Sequence, residues 1–163
     1  MNDKGKLIFF TGKMAVGKTT YSKKLASELN AIYVSEDQWL SYLYPDEIND
    51  FNDYIKYSSR IKPLLEEHLT QLLLSGLTVV MDFPGNTIKQ RQWFKTLFRK
   101  SKIPHKLIYL RAEDDLCLRH LEKRWEESPE RQKFDTLEVF KYVNGFFQEP
   151  TDKEGFNIEI IDV

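Results

Sequence analysis

A single cysteine, Cys117, leaves the chain without an internal disulfide. No apolar run approaches the roughly 20 residues of a membrane-spanning helix. The apolar stretch within MNDKGKLIFF is also too short for a signal peptide or membrane anchor. These absences lead to the expectation of a reducing cytoplasm and of no membrane partner. Neither sign of charge is in excess: 24 Lys plus Arg face 25 Asp plus Glu, for a net charge of -1. Without a global positive field, nucleic acid is not an expected partner, except through a local basic groove. The three histidines, His68, His105 and His120, have no metal-ligand spacing. Low-complexity tracts, linkers and internal repeats are also missing.

What is present is the composition of a folded protein, with 41% hydrophobic, 13% aromatic and 30% charged residues. A chain of 163 residues suits one domain over 1–163. Short β-rich apolar runs mark five strands: Leu7–Phe10, Ala31–Val34, Leu77–Met81, Lys106–Leu110 and a last one around Ile158, Ile160 and Ile161. Between them, helical spacing appears in Lys18–Leu29, in Leu64 to Leu73 with Pro63 near the front, in Trp93 to Phe98, in Leu116 to Leu121 and in Thr136–Phe147. Ser35 with Gln38, and Thr87 with Gln90, carry the spacing of capping boxes, the first opening a short helix that Pro45 ends. Strands alternating with helices predict an α/β fold, a parallel sheet covered on both faces.

Residues Gly12-Lys13-Met14-Ala15-Val16-Gly17-Lys18-Thr19 match G-x-x-x-x-G-K-[ST] between a strand and a helix. The two glycines let the backbone turn its N–H groups inward at the positive end of a helix dipole, which is a phosphate cradle. Lys18 would reach the β- and γ-phosphates and Thr19 would ligate magnesium; Thr20 and, further on, Arg119 join the candidate nucleotide contacts. Asp82 emerges at the carboxyl end of the third strand, the expected place for a second metal-side residue, and Asn86 lies four residues on.

Asp37, after the second strand, suits a general base toward an acceptor hydroxyl, or equally a helix-capping acid. Around Arg119, Arg124 and Arg131 the charged stretch suits a cationic lid over the phosphates, or a solvated helix; Arg124 is the preferred lid residue. Aromatic residues from Trp39 to Tyr57 interleave with acidic ones, and Arg60 is a lone cation in an apolar helical run, a candidate for an anionic partner.

With these residues in hand, the chain resembles a family of small bacterial P-loop proteins known as predicted kinases or AAA-type ATP-binding proteins. That family is related to zeta toxins, chloramphenicol phosphotransferase and polynucleotide 5′-hydroxyl kinases. The likeness rests on GKMAVGKTT, VSEDQWL, VVMDFPGNTIKQRQWF and EPTDKEGFNI, spread over nearly the whole length. It implies a three-layer α/β/α P-loop NTPase fold with a five-stranded sheet in kinase-type order. It also implies ATP and Mg2+ as ligands, Asp37 as the base, Arg124 as a lid arginine, an acceptor segment near 36–75 and a lid near 124–135. Departures are Val16, where kinases often have a small polar residue, and the few paired arginines from Glu126 to Lys133.

The function expected on these grounds is transfer of the γ-phosphoryl group of ATP to a hydroxyl of a small molecule. Two alternatives stand beside it. A nucleic-acid 5′-hydroxyl kinase would need a basic groove, for which Lys89, Arg91, Lys95, Arg99, Lys100 and Lys102 form a cluster. An ATP-binding switch or toxin–antitoxin component would transfer little. There is no room for the helical lid domain of the large oligomeric AAA machines, so a monomer or homodimer is expected.

Overall fold

Five residues, Leu7–Thr11, form the first strand, β1, and every one of them is buried. In the computed structural model, which describes residues 3–129, 132 and 135–163, this strand lies at the centre of the sheet. The other strands are β2 (Ile32–Ser35), β3 (Val79–Asp82), β4 (His105–Arg111) and β5 (Ile158–Asp162). All pair in parallel in the order β2-β3-β1-β4-β5. The helices of the described residues are α1 (Lys18–Glu28), α2 (Glu36–Leu43), α3 (Phe51–Leu74), α4 (Ile88–Phe98), α5 (Asp114–Glu127) and α6 (Leu137–Gly145).

Side chains alternate across a strand, and the sequence of β1 fills both faces. Leu7 and Phe9 join Val79, Met81 and Leu107 in a core covered by α3 and α4. Ile8 and Phe10 join Val80, Ile108 and Leu110 beneath α1, α5 and α6. Phe9 stacks on Phe94 with centroids 4.3 Å apart and meets Phe156 edge-on, which fixes α4 against the sheet. The chain leaves β1 toward one face, through α1, and leaves the adjacent β3 toward the other, through α4. Neighbouring strands whose connections diverge open a crevice at their carboxyl ends.

Three features depart from the pattern read in the sequence. The helix expected from Leu64 begins at Phe51, with Asp50 capping it by accepting from the Asp53 N–H at 2.7 Å, so that Pro63 lies in its interior. Of the two expected capping boxes, Thr87–Gln90 is complete, whereas at Ser35 only one half forms, the side chain accepting from the Gln38 N–H. Arg91, grouped with the basic surface cluster in the sequence, is completely buried. Its Nε and Nη2 donate to the two oxygens of Glu154 at 2.9 and 3.1 Å, and its Nη1 donates to the Gly85 carbonyl at 2.9 Å. Glu154 closes a capping box on Thr151, so one carboxylate serves both the C-terminal turn and the guanidinium. Gly85 has no alternative: a Cβ there would lie 2.3 Å from the Phe10 carbonyl oxygen.

Removing one member of a buried pair strands the other charge, whereas replacing both with apolar groups does not. Glu154→Ala should therefore cost roughly 3–5 kcal/mol in urea unfolding, and the Arg91→Met/Glu154→Leu double variant should recover most of that loss.

Candidate functional site

The loop from Gly12 to Gly17 leaves β1 and turns into α1, with Gly17 (φ 105°) at the helix N-cap in the left-handed region. Ala15 adopts a positive φ of 65° as well, an uncommon conformation for a residue with a Cβ. The loop is held from three other elements. The Gly12 N–H donates to Asn86 Oδ1 at 3.1 Å, and the Met14 N–H donates to Asn144 Oδ1 of α6 at 2.9 Å. From α5, His120 Nδ1 lies 2.9 Å from the Ala15 carbonyl, and Asp114 pairs with Lys13 at 2.7 Å. A loop whose outer groups are spoken for keeps its shape before any phosphate arrives.

Lys18 opens α1 within a field of carboxylates. Burial pushes its ammonium below the usual lysine range, and the charges of Asp82, Asp37 and Glu36 act against that shift. Asp82 Oδ2 accepts two hydroxyls, from Thr19 at 2.8 Å and from Tyr33 at 2.9 Å. The Tyr33 phenol is pushed up to about 12 by burial and by the Asp82 charge. One hydroxyl and one carboxylate make an oxygen donor set that suits magnesium, which takes few protein ligands and completes its shell with phosphate oxygens and water. The described residues contain no cluster of three or more His, Cys, Asp or Glu that would hold a metal unaided.

An open cleft of about 1060 Å³ runs along this edge. Ala15, Gly17, Thr19 and Asp37 line it, as do His120 and Arg124 from α5. Arg124 also donates to Asp135 Oδ2 at 3.2 Å, and Trp125 Nε1 donates to the Asp135 carbonyl at 2.8 Å, joining the two ends of the 124–135 segment. Arg131 lies outside the described residues.

Gly12, Lys13, Met14, Lys18 and Asp82 are not among the residues that line the cleft, and neither are three further candidates. Arg119 is exposed on α5, Asn86 is engaged with Gly12, and Arg60 is exposed with its guanidinium 5.1 Å from the Tyr57 ring centroid. The basic residues Lys95, Arg99 and Lys100 border a separate surface hollow that shares no residue with the cleft. Asn144, His120, Tyr33 and Glu36 were not singled out by sequence. None has a local signal, since Asn144 meets Met14 across 130 positions of chain.

A family model described as an AAA domain matches residues 7–150. A search of curated proteins returns no match. Among solved structures, a Chloroflexus aurantiacus protein described as a candidate kinase is 19% identical with a TM-score of 0.71, covering 98% of this chain and 88% of its own. The Mycobacterium tuberculosis APS kinase CysC, in complex with AMPPNP and APS, is 15% identical with a TM-score of 0.67 over 98% of this chain and 88% of its own. Chaetomium thermophilum Kti12, in complex with ADP-AlF3, is 14% identical with a TM-score of 0.68 over 96% and 88%. At these identities the likeness is one of fold, a P-loop kinase-type α/β/α sandwich.

Because burial opposes its charge, Lys18 costs stability in the ligand-free protein. Lys18→Met should raise that stability by roughly 1 kcal/mol while abolishing nucleotide binding. The sign of the pH effect follows from the depressed value: below 10.5 the folded lysine releases its proton before the unfolded one does, so wild-type stability should gain on the Met variant as pH rises. Thermal unfolding of both proteins between neutral and alkaline pH measures this.

Proposed function

The chain belongs to this AAA domain family, whose model spans residues 7–150, and on that premise we propose that it is an ATP- and magnesium-dependent phosphotransferase acting on a hydroxyl of a small molecule. The observation that carries the reading is that the phosphate loop and Asp37 border one cleft, with Lys18 inside the field of both Asp37 and Asp82. The fold it shares with CysC, whose complex contains AMPPNP and APS, supports the same class of chemistry.

The N–H groups at the start of α1 bind the phosphate oxygens, and Lys18 neutralises charge on the β- and γ-phosphates. Thr19 and Asp82 would hold magnesium, which would supply further positive charge to balance the phosphates. Tyr33 keeps Asp82 in place for that task. Asp37 orients the acceptor hydroxyl and takes its proton as the oxygen attacks the γ-phosphorus. The new O–P bond forms while the bond from the γ-phosphorus to the β,γ-bridging oxygen breaks, and ADP leaves with the electron pair. Arg124, freed from Asp135, covers the charge that develops on the transferred group.

The nucleic-acid alternative loses support from the burial of Arg91 and from the position of Lys95, Arg99 and Lys100 at a hollow that shares no residue with the cleft. A compartment is proposed only in that no described helix is long and apolar enough to cross a membrane, and the cytoplasm suits an ATP-using enzyme.

The test is a screen with labelled ATP and magnesium over nucleosides, sugars, aminoglycosides, chloramphenicol and 5′-hydroxyl oligonucleotides, with Lys18→Ala as the blank. A labelled small molecule is expected. With that acceptor, Asp37→Asn should lower kcat by about 10²–10⁴ while ATP affinity stays unchanged. Normal transfer by Asp37→Asn removes the assignment of the base.

A further inference from the structure

Among the described residues, Arg91 and Glu36 are the charged ones almost wholly shielded from solvent, at 0% and 1% exposure. Arg91 has its carboxylate, and its task is to hold the fold together. Glu36 is 1% exposed and is met by hydroxyls: Tyr54 donates to Oε1, and Ser58 donates to Oε2 at 2.8 Å. Both donors belong to α3, one turn apart on the same face. Burial pushes the Glu36 carboxyl up, and the Tyr54 and Ser58 hydrogen bonds pull it back. A bare carboxylate placed so deep is costly, so its location calls for a task.

The two halves of α3 are anchored differently. Beyond Pro63 the buried residues Leu65, Leu69 and Leu73 sit in the core against the sheet. Before it the buried residues are Ser58 and Ile61, while Phe51, Ile55 and Arg60 are exposed. Pro63 has no N–H to give the Ser59 carbonyl, so the helix ladder lacks one rung between the halves. The leading half places one residue, Ile61, in that core, with Tyr54 and Tyr57 half-buried against it, and its polar and ring ties run to α2: the two hydroxyls on Glu36, and the Tyr44–Tyr57 ring contact at 4.3 Å.

Glu36 and Asp37 are consecutive in the first turn of α2, so their side chains diverge by about 100°. One faces α3 and the other borders the cleft. We infer that Glu36 is a positioning residue, a latch that sets the leading half of α3 against α2 and so fixes the acceptor side of the site relative to Asp37. The naming of an acceptor side rests on the phosphotransfer reading; the latch itself does not.

A competing role is that of a counter-charge, since Glu36 also contributes to the field at Lys18. The two roles separate by variant. Glu36→Gln keeps groups able to bond both hydroxyls and removes the charge, whereas Glu36→Ala removes both. Hydrogen–deuterium exchange then reads residues 51–62 against 64–74, and calorimetry with ADP reads the nucleotide site.

The latch predicts that Glu36→Ala speeds exchange in 51–62 by about tenfold or more, leaves 64–74 within about twofold, and leaves ADP affinity within about threefold, with Glu36→Gln near wild type throughout. With the hydroxyl compound labelled in the screen, the Ala variant should raise the acceptor KM by about tenfold, more than it lowers kcat, and Gln should rescue it. Should Glu36→Ala fail to fold, Tyr54→Phe/Ser58→Ala removes the donors instead and should show the same exchange pattern. Unchanged exchange in 51–62 overturns the latch, as does an equal loss of ADP affinity in the Ala and Gln variants, which would assign Glu36 to Lys18. Failure of the phosphotransfer reading would appear separately, as no product from the wild type, with the exchange result still deciding the latch.

Discussion

The buried Arg91–Glu154 pair is the constraint on which the site's geometry rests. Its guanidinium reaches the Gly85 carbonyl, in a loop that already lies too close to β1 for any Cβ. The next residue, Asn86, accepts the Gly12 N–H, accepts the Gln148 N–H on its own carbonyl at 2.8 Å, and is itself steadied by Gln90. One ion pair thus couples the C-terminal turn, the loop after β3 and the first residue of the phosphate loop. Three carboxylate–donor hydrogen bonds on Glu154 offset its desolvation.

Around that frame, the site concentrates features that do not favour the ligand-free fold. Lys18 is held with its charge opposed by burial, Ala15 occupies left-handed backbone, and Glu36 lies deep without a cation bonded to it. Such features persist where the surroundings over-determine them, and here the bonds from Asn86, Asn144, His120 and Tyr54 do so. Their common effect is preorganisation: donors and carboxylates are in place before phosphate charge enters the cleft.

Much of this was legible in the sequence where the signal is local. The G-x-x-x-x-G-K-T run, the five apolar strands, the Thr87–Gln90 box and the position of Asp82 at a strand end all follow from short-range spacing. Strand order came from resemblance, because periodicity says which face a residue takes and not which strand lies beside it. Arg91 looked like a member of a surface cluster, because its partner lies 63 residues away. The early start of α3 was hidden by Pro63 and by an aromatic run without clean helical spacing. Asp50 caps it locally, and its bonds to Glu36 are the tertiary contacts that help carry that half. Glu36 itself stood in a motif already noted, yet nothing in VSEDQWL tells which of two adjacent acids turns inward.

The proposed account, in which a preset loop binds nucleotide and the cleft presents a hydroxyl to it, draws on the placement of Lys18, Thr19, Asp82 and Asp37. A crystal structure with ADP, magnesium and aluminium fluoride tests that account most directly. The account predicts the fluoride between the β-phosphate and Asp37, with Thr19 and Asp82 on the magnesium side and the Asp37 carboxylate within hydrogen-bond reach, about 2.6–3.2 Å, of the apical oxygen. Nucleotide bound away from the Gly12–Thr19 loop, or Asp37 on the wall opposite the attacking oxygen, would contradict it.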